Sequence, residues 1–440
     1  MTHITIENSG GTLECEALSW REEQSCIPAI RDVPLRSDGA YVDTSTFVLK
    51  ARMLDISLRL SDSEKTTLEA IFNADESVTI TATSDFDGDY EWMYTGWFSK
   101  KPLIYEYKKQ PDATREWRAE LEFKIQSFNY EVPYKLFIGL ETAPAIVIEV
   151  DVATFTESTS ETLGVNENYA YALAISGDYL YVATGTSPAR IIKIELATFT
   201  EVDSLILGTG ENNVRALVVS ENYLYAGCYT NPVKIAKINL STFTEETVLT
   251  LGSTVILATS LAVSGNYLYV GTYNLPAKIA RVNLVTFTED VAPLSFVSDR
   301  ILSLVVSGDY LYAGTSTALP ANIIKVAIST FTVDDTLALG SGENTAWCLA
   351  VSGGYLYVGL STSPAKIAKV DISTFTEVDV LTLAAGEEYV IGLVVVEGYL
   401  YAGLYSLSKI TKIDLSTFTK ISTLTLSGGN DLWSITTGLS

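Results

Sequence analysis

The sequence predicts a mainly β protein: an N-terminal β-sandwich or split barrel with one α-helix over residues 1–134, then a seven-bladed β-propeller over 135–440. Three observations carry this. The phrase Thr-Phe-Thr recurs seven times, its Phe155, Phe199, Phe243, Phe287, Phe331, Phe375 and Phe418 spaced by 44 residues five times and then by 43. Between phrases lie four short strand-like runs and no helical pattern, the signature of propeller blades. The first 134 residues lack the repeat and read as a separate unit.

Composition narrows the function classes. With 47% hydrophobic and 19% charged residues the chain packs a core and is not disordered. Its 29 Lys and Arg stand against 53 Asp and Glu, a net charge of −24 that argues against nucleic acid or an anionic membrane as partner. The start has no basic segment followed by an apolar run, and no stretch reaches the ~18 uninterrupted apolar residues of a membrane span. Synthesis in the cytoplasm without membrane insertion is therefore expected. Cys228 and Cys348 lie in apolar strands and read as small core residues. Cys15 and Cys26 have no histidine partner that would make a zinc site, so a reduced, structural role is expected for all four.

In the N-terminal unit, residues 3–7 and 13–20 read as strands, followed by a polar loop at 28–43. From Phe47 to Leu60 the chain is apolar almost throughout, but the alternation changes parity at Met53 and Leu54, where a bulge or break is expected. Residues 61–74 carry a helix pattern: Ser61 with Glu64 fits a capping box, and Leu68, Ile71 and Phe72 share a face. A hairpin joins 78–83 to 90–98 through Asp85, Asp87 and Asp89. These acids lack the spacing of a calcium loop and fit an Asp-Gly turn. Residues 117–125 alternate apolar and charged, as a half-buried strand does. Strands, one capped helix and a closing hairpin resemble the hub domain of distal tail proteins and the related tail-tube fold of tailed viruses. That resemblance implies a homo-oligomeric ring, with other tail proteins as partners and 28–43 as an intersubunit arm.

One blade can be read from Tyr355: YLYVGL, then AKIAKVDI from Ala365, EVDVLTL from Glu377 and GLVVV from Gly392. The uninterrupted apolar GLVVV type is expected innermost, buried on both faces, and the charged EVDVLTL type outermost, where charge discourages edge pairing. YLYVG-type strands begin at Lys135, Tyr179, Tyr223, Tyr267, Tyr310, Tyr355 and Tyr399, and the last GLVVV-type strand covers 432–437. The ring should therefore close by one C-terminal strand beside three N-terminal ones. Trp433 in that strand is expected to be buried, its loss costing roughly 3–5 kcal/mol. These repeats resemble YVTN and WD40-like propellers, which serve as adhesins, scaffolds, lactonases and lyases.

Three constellations compete as sites. The paired tyrosines, Tyr179 with Tyr181 and their equivalents, read as a packing layer between blades, with sugar stacking as the other reading. Lys193, Lys237, Lys325, Lys369 and Lys412, with Arg281, recur beside acids such as Glu195, Asp371 and Asp414, as charge pairs do; Glu149 breaks the pattern in the first blade. The loops entering each innermost strand carry Glu167, Glu211, Asp299, Glu343, Glu387 and Asp431. As a channel rim these acids would attract a cation or cationic ligand. As Gly-Glu-Asn turns they would serve geometry and solubility. The only histidine, His3, precedes the propeller, so no histidine-based catalytic pair is expected there, and no cofactor.

Together these readings lead to the expectation of a non-enzymatic virion structural protein, a tail or baseplate component whose propeller is a decoration or host-adhesion module for a host-surface ligand. A cytoplasmic protein-interaction scaffold is the alternative, and a carboxylate- or metal-dependent lactonase or lyase a further one.

Overall fold

The computed structural model describes the strands of residues 2–8, 11–22, 52–60, 78–84, 91–98, 103–107 and 116–130 as backbone, and residues 134–439 save 297–299, 317–318, 406–407 and 430. The chain divides into two compact units, Met1–Pro133 and Tyr134–Ser440. Among the described residues there are strands and no α-helix. The helix expected at 61–74, the arm at 28–43 and the turn of Asp85, Asp87 and Asp89 lie outside them.

The first unit contributes β1 (Thr2–Asn8), β2 (Gly11–Glu22), β3 (Arg52–Leu60), β4 (Val78–Ser84), β5 (Glu91–Phe98), β6 (Leu103–Tyr107) and β7 (Glu116–Tyr130). They pair in the order β3-β2-β1-β4-β5-β7-β6, and β3 also pairs with β7. β7 is long enough to hold β3 along one edge while β5 and β6 share the other. β3 runs against β7 without a register shift from Arg52 to Leu60, so the break expected at Met53 and Leu54 is absent. The shift falls instead in β2, between Ala17 and Ser19.

The second unit is a ring of seven four-stranded antiparallel sheets. Blade 1 is β8 (Tyr134–Leu140), β9 (Ile146–Asp151) and β10 (Thr156–Thr162), completed on its inner edge by the C-terminal strand Leu432–Leu439. Blade 2 is β11 (Ala170–Ser176), β12 (Tyr179–Thr184), β13 (Arg190–Glu195) and β14 (Thr200–Ile206), ordered from the channel outward, and blades 3 to 7 repeat it. Closure therefore follows the expected one-plus-three arrangement.

Burial departs from expectation in one respect. The most buried strand of a blade is the second: in β12 every residue after Tyr179 is buried, whereas β11 alternates. A second strand has neighbours along both edges and a blade against each face, while the inner strand borders the channel. Inner strands compensate through side-chain hydrogen bonds to the next blade's backbone. Ser434 Oγ donates to the Ala170 carbonyl at 2.8 Å, Ser303 Oγ to that of Ala346 at 3.3 Å, and Cys348 Sγ to that of Val390 at 3.7 Å.

The Thr-Phe-Thr phrase is the turn from third to outer strand. Its phenylalanine has positive φ in every blade, 51° at Phe155 and 49° at Phe243, a conformation that costs a side chain roughly 1–3 kcal/mol. Two devices hold it. The flanking threonine hydroxyls bond one another, as Thr374 and Thr376 do at 2.8 Å. The preceding acid caps the turn, Asp371 Oδ1 accepting the amides of Ser373 at 2.8 Å and Thr374 at 3.0 Å. Asp371 and Asp414 thus serve the turn; they are not partners of the lysines. Each phenylalanine then docks on the preceding blade's buried second-strand ring: Phe243 on Tyr181 at 5.8 Å, Phe331 on Tyr269 at 5.8 Å, Phe199 on Phe137 at 6.0 Å. The blade's cation covers the outer tyrosine and reaches the same phenylalanine, Lys193 Nζ lying 3.8 Å from Tyr179 and 5.6 Å from Phe243. Such contacts contribute about 0.5–2 kcal/mol each. In blade 1 the chemistry is exchanged, Lys135 standing where the others have tyrosine and pairing with Glu149 at 3.5 Å.

Candidate functional site: the mouth of the central channel

Of the two readings of the loop glutamates, channel rim or turn, the structure shows the turn. Glu167, Glu211, Glu343 and Glu387 are each about 5% exposed, and each folds back onto its own turn. Glu167 Oε2 accepts the Gly164 amide at 2.8 Å, Glu343 Oε2 that of Gly340 at 3.0 Å, and Glu387 Oε2 that of Ala384 at 2.8 Å. The turn needs a left-handed residue before the glutamate, supplied by Asn166, Gly210, Gly342 and Gly386 at φ of 70° to 83°. In the repeat without an acid, Val255 makes the same backbone turn to Gly252. Asp299 lies outside the described residues. Asp431 is half-buried and its carbonyl accepts the Glu141 amide at 2.9 Å.

A second carboxylate, from the next blade's outer strand, meets three of these turns. Glu211 and Glu245 both accept the Gly208 amide at 3.2 Å, and Glu343 and Glu377 both accept that of Gly340, at 3.0 and 2.9 Å. Two ionised carboxylates do not share one donor comfortably, so each pair holds a proton more tightly than a lone carboxyl group does. Burial, together with the charge of Glu167, pushes Glu201 up to about 7. Burial and the facing Glu245 likewise raise Glu211. Between blades 6 and 7 Lys420 replaces the second acid and bonds Glu387 directly; although burial works against ionisation, Lys420, Thr423 and the Ala384 amide hold Glu387 below the usual range. The four glutamates are interface groups, engaged before any ligand arrives.

The departures from the repeat lie elsewhere. The start of each inner strand and the end of each second strand occupy one end of the blade, since Ala170 pairs with Thr184. At that end the second residue of every inner strand falls at a register shift: Tyr171, Arg215, Thr259, Leu302, Trp347 and Ile391, with Trp433 in the closing strand. Outside the exposed outer strands, no other strand position mixes aromatic, cationic, polar and aliphatic residues in this way. Just beyond the second strands stand Glu141, Tyr229, Tyr273 and Tyr405.

These residues assemble across the ring. Trp433 of blade 1 meets Tyr171 of blade 2 at 4.9 Å, Trp347 of blade 6 at 6.2 Å and Tyr405 of blade 7 at 6.0 Å. Trp433 is half-buried and not the sealed closure residue expected from sequence; that place belongs to Leu432, fully buried opposite Leu140. The register shift after Leu432 turns the indole out to the channel. Glu141 sits between two phenols, accepting from Tyr171 at 3.0 Å and Tyr405 at 3.3 Å. Burial and then the Glu141 charge push Tyr171 up to about 12, and burial with the facing Asp431 and Glu141 does the same to Tyr405, so both remain donors. The Arg215 guanidinium lies 4.7 Å from Tyr171, 4.6 Å from Tyr229 and 5.1 Å from Trp433.

The result is a cluster of rings with a few polar groups, suited to stacking and hydrogen bonding. Among the described residues no cluster of three or more His, Cys, Asp or Glu is placed to hold a metal ion. Tyr181, Tyr269, Tyr312, Tyr357 and Tyr401 are sealed between blades, so they pack the ring.

This arrangement defines a seven-bladed β-propeller built from repeats. Three segments, 167–187, 257–274 and 344–376, match the LVIVD repeat. The resemblance to YVTN and WD40-like propellers agrees at the coarser level of repeat architecture. No curated protein matches the sequence. Among solved structures, hydrazine synthase of Kuenenia stuttgartiensis is similar with a TM-score of 0.52 at 12% identity, over 58% of this chain and 86% of the other. The computationally designed Ika8 protein gives 0.50 at 14% identity, over 67% and 87%. At such identities the likeness is one of fold alone.

Proposed function

We propose that the propeller is a non-enzymatic binding module and that the aromatic mouth of its channel is the contact surface. The observation that carries this is the concentration of sequence differences at the channel end of the inner strands, in a ring whose second and third strands repeat closely from blade to blade. Scaffold positions repeat because each blade has the same packing to satisfy; a recognition surface must break that symmetry. In its fuller form the proposal keeps the virion: a tail or baseplate component of a tailed virus whose N-terminal unit assembles a homo-oligomeric ring and whose propeller attaches to a host-surface ligand. That part rests on the resemblance of the N-terminal unit. A cellular interaction scaffold would use the same mouth for a protein partner.

The test is binding of the full-length protein to an array of surface polysaccharides and glycans, beside Trp433→Ala. Loss of at least tenfold in affinity, with the melting temperature within a few degrees, is the expected result. Undiminished binding by the variant would move the contact surface away from the mouth. Light scattering of the full-length protein addresses the ring separately, and a monomer at all concentrations would favour the scaffold.

A further inference from the structure

Two arginines at the mouth have no acidic partner among the described residues. Arg215 is sandwiched between rings, and among the described residues its side chain makes one hydrogen bond, a 3.4 Å bond from Nε to Asn213 Oδ1. Arg300 stacks 4.2 Å from Tyr273 and donates from Nη1 to that phenol at 3.0 Å, while its buried Nε has no acceptor. Neither meets a carboxylate among the described residues, in a chain that carries 53 acids against 29 bases. Arginines in the blade walls are treated differently: Arg281 bonds Asp290, and Arg190 lies 3.4 Å from Glu167. Rings stabilise the face of a guanidinium and leave its in-plane N–H groups unused, which is the half of the group that grips an oxyanion.

We propose that the mouth binds an acidic saccharide, a sugar whose ring lies against the aromatic faces and whose oxyanion is held by Arg215 and Arg300. This rests on the binding role proposed above and names its ligand class. Glu141, already fixed by two phenols, has lone pairs left for sugar hydroxyls. A net charge of −24 repels long polyanions, and Glu141 and Asp431 offset the two arginines at the mouth, so a short sugar with one oxyanion is favoured, selected by direct bonds to the guanidinium N–H groups.

The experiment is isothermal titration of the full-length protein with short oligouronates, sialyl-oligosaccharides and sulfated galactans, each beside its methyl-ester or desulfated counterpart. An acidic member should bind, and removing its charge should weaken it at least tenfold. Arg215→Gln and Arg300→Gln should each produce a similar loss on the acidic sugar while leaving any neutral-sugar binding and the melting temperature in place. Whether the carboxylated or the sulfated series binds identifies the source of the oxyanion. Equal binding of charged and uncharged counterparts, or loss in Trp433→Ala without loss in either arginine variant, would overturn the acidic class and leave the mouth as the binding surface. Absence of binding to any saccharide, charged or neutral, would overturn the saccharide class altogether; binding of other surface ligands, abolished by Trp433→Ala, would still uphold the mouth.

Discussion

Phe155 packs on Tyr401 at a ring separation of 5.6 Å, joining blade 1 to blade 7 by the contact that joins the other neighbouring blades. Lys412 completes it, 4.2 Å from Tyr399 and 5.9 Å from Phe155. The junction that closes the ring is thus chemically the same as an internal one, although its two sides come from opposite ends of the repeat region.

Truncating the docked ring should be costly. Phe243→Ala removes a side chain that is 7% exposed and should cost about 3–5 kcal/mol in urea unfolding. Phe155→Ala, at a half-buried position, should cost less. Equal midpoints for Phe243→Ala and the unmodified protein would contradict the docking.

The closing strand offers a second comparison. Leu432→Ala deletes a fully buried side chain and should cost about 2–5 kcal/mol, whereas Trp433→Ala should cost less and show its effect in ligand binding. The reverse order of melting temperatures would mean that the register shift after Leu432 is misplaced.

Stability should fall with alkalinity. Glu201 has a folded pKa of about 7, above its ordinary 4.5, so the native state binds the proton more tightly than the unfolded chain. Its contribution is complete below about pH 4.5 and is lost as pH rises through 7. Glu211 and Glu377 are raised in the same direction. The melting temperature should therefore drop between pH 5 and pH 8, and Glu201→Gln, with Glu211→Gln and Glu377→Gln, should flatten the profile. A profile unchanged in the triple variant would show that the pairs carry no shared proton.

Lys420→Glu recreates between blades 6 and 7 the carboxyl pair found at three other interfaces. It should be well tolerated at pH 5 and destabilising at pH 8, by a few degrees in a thermal melt. Equal loss at both pH values would point to packing of the lysine stem as its main role.

The ring, its closure and the outer edges were legible because the Thr-Phe-Thr period fixes strand count, and strand count fixes how the last blade is completed. For the loop glutamates the sequence leaves rim and turn both open, because spacing locates a residue on a loop but does not say which way its side chain points; the hydrogen bonds are those of the turn. Trp433 was misread for a related reason: alternation assigns faces only where register is continuous, and a bulge follows Leu432. The mouth is not legible from the repeat because a repeat is defined by what its blades share. Subtracting the consensus instead, so that Tyr171, Arg215, Trp347 and Trp433 stand out at one strand position, would have found it.

Tyr134 and Leu439 are opposite one another in the closing pair of strands. The propeller is entered and left at a single point on its circumference, which makes it a cassette: a domain of this kind can be spliced into a surface loop of another protein with both junctions a strand spacing apart. Its gap can equally be moved to any other blade connection. A circular permutant opened at the 252–255 turn, with 134 and 439 linked by a short Gly-Ser bridge, would retain all seven blades.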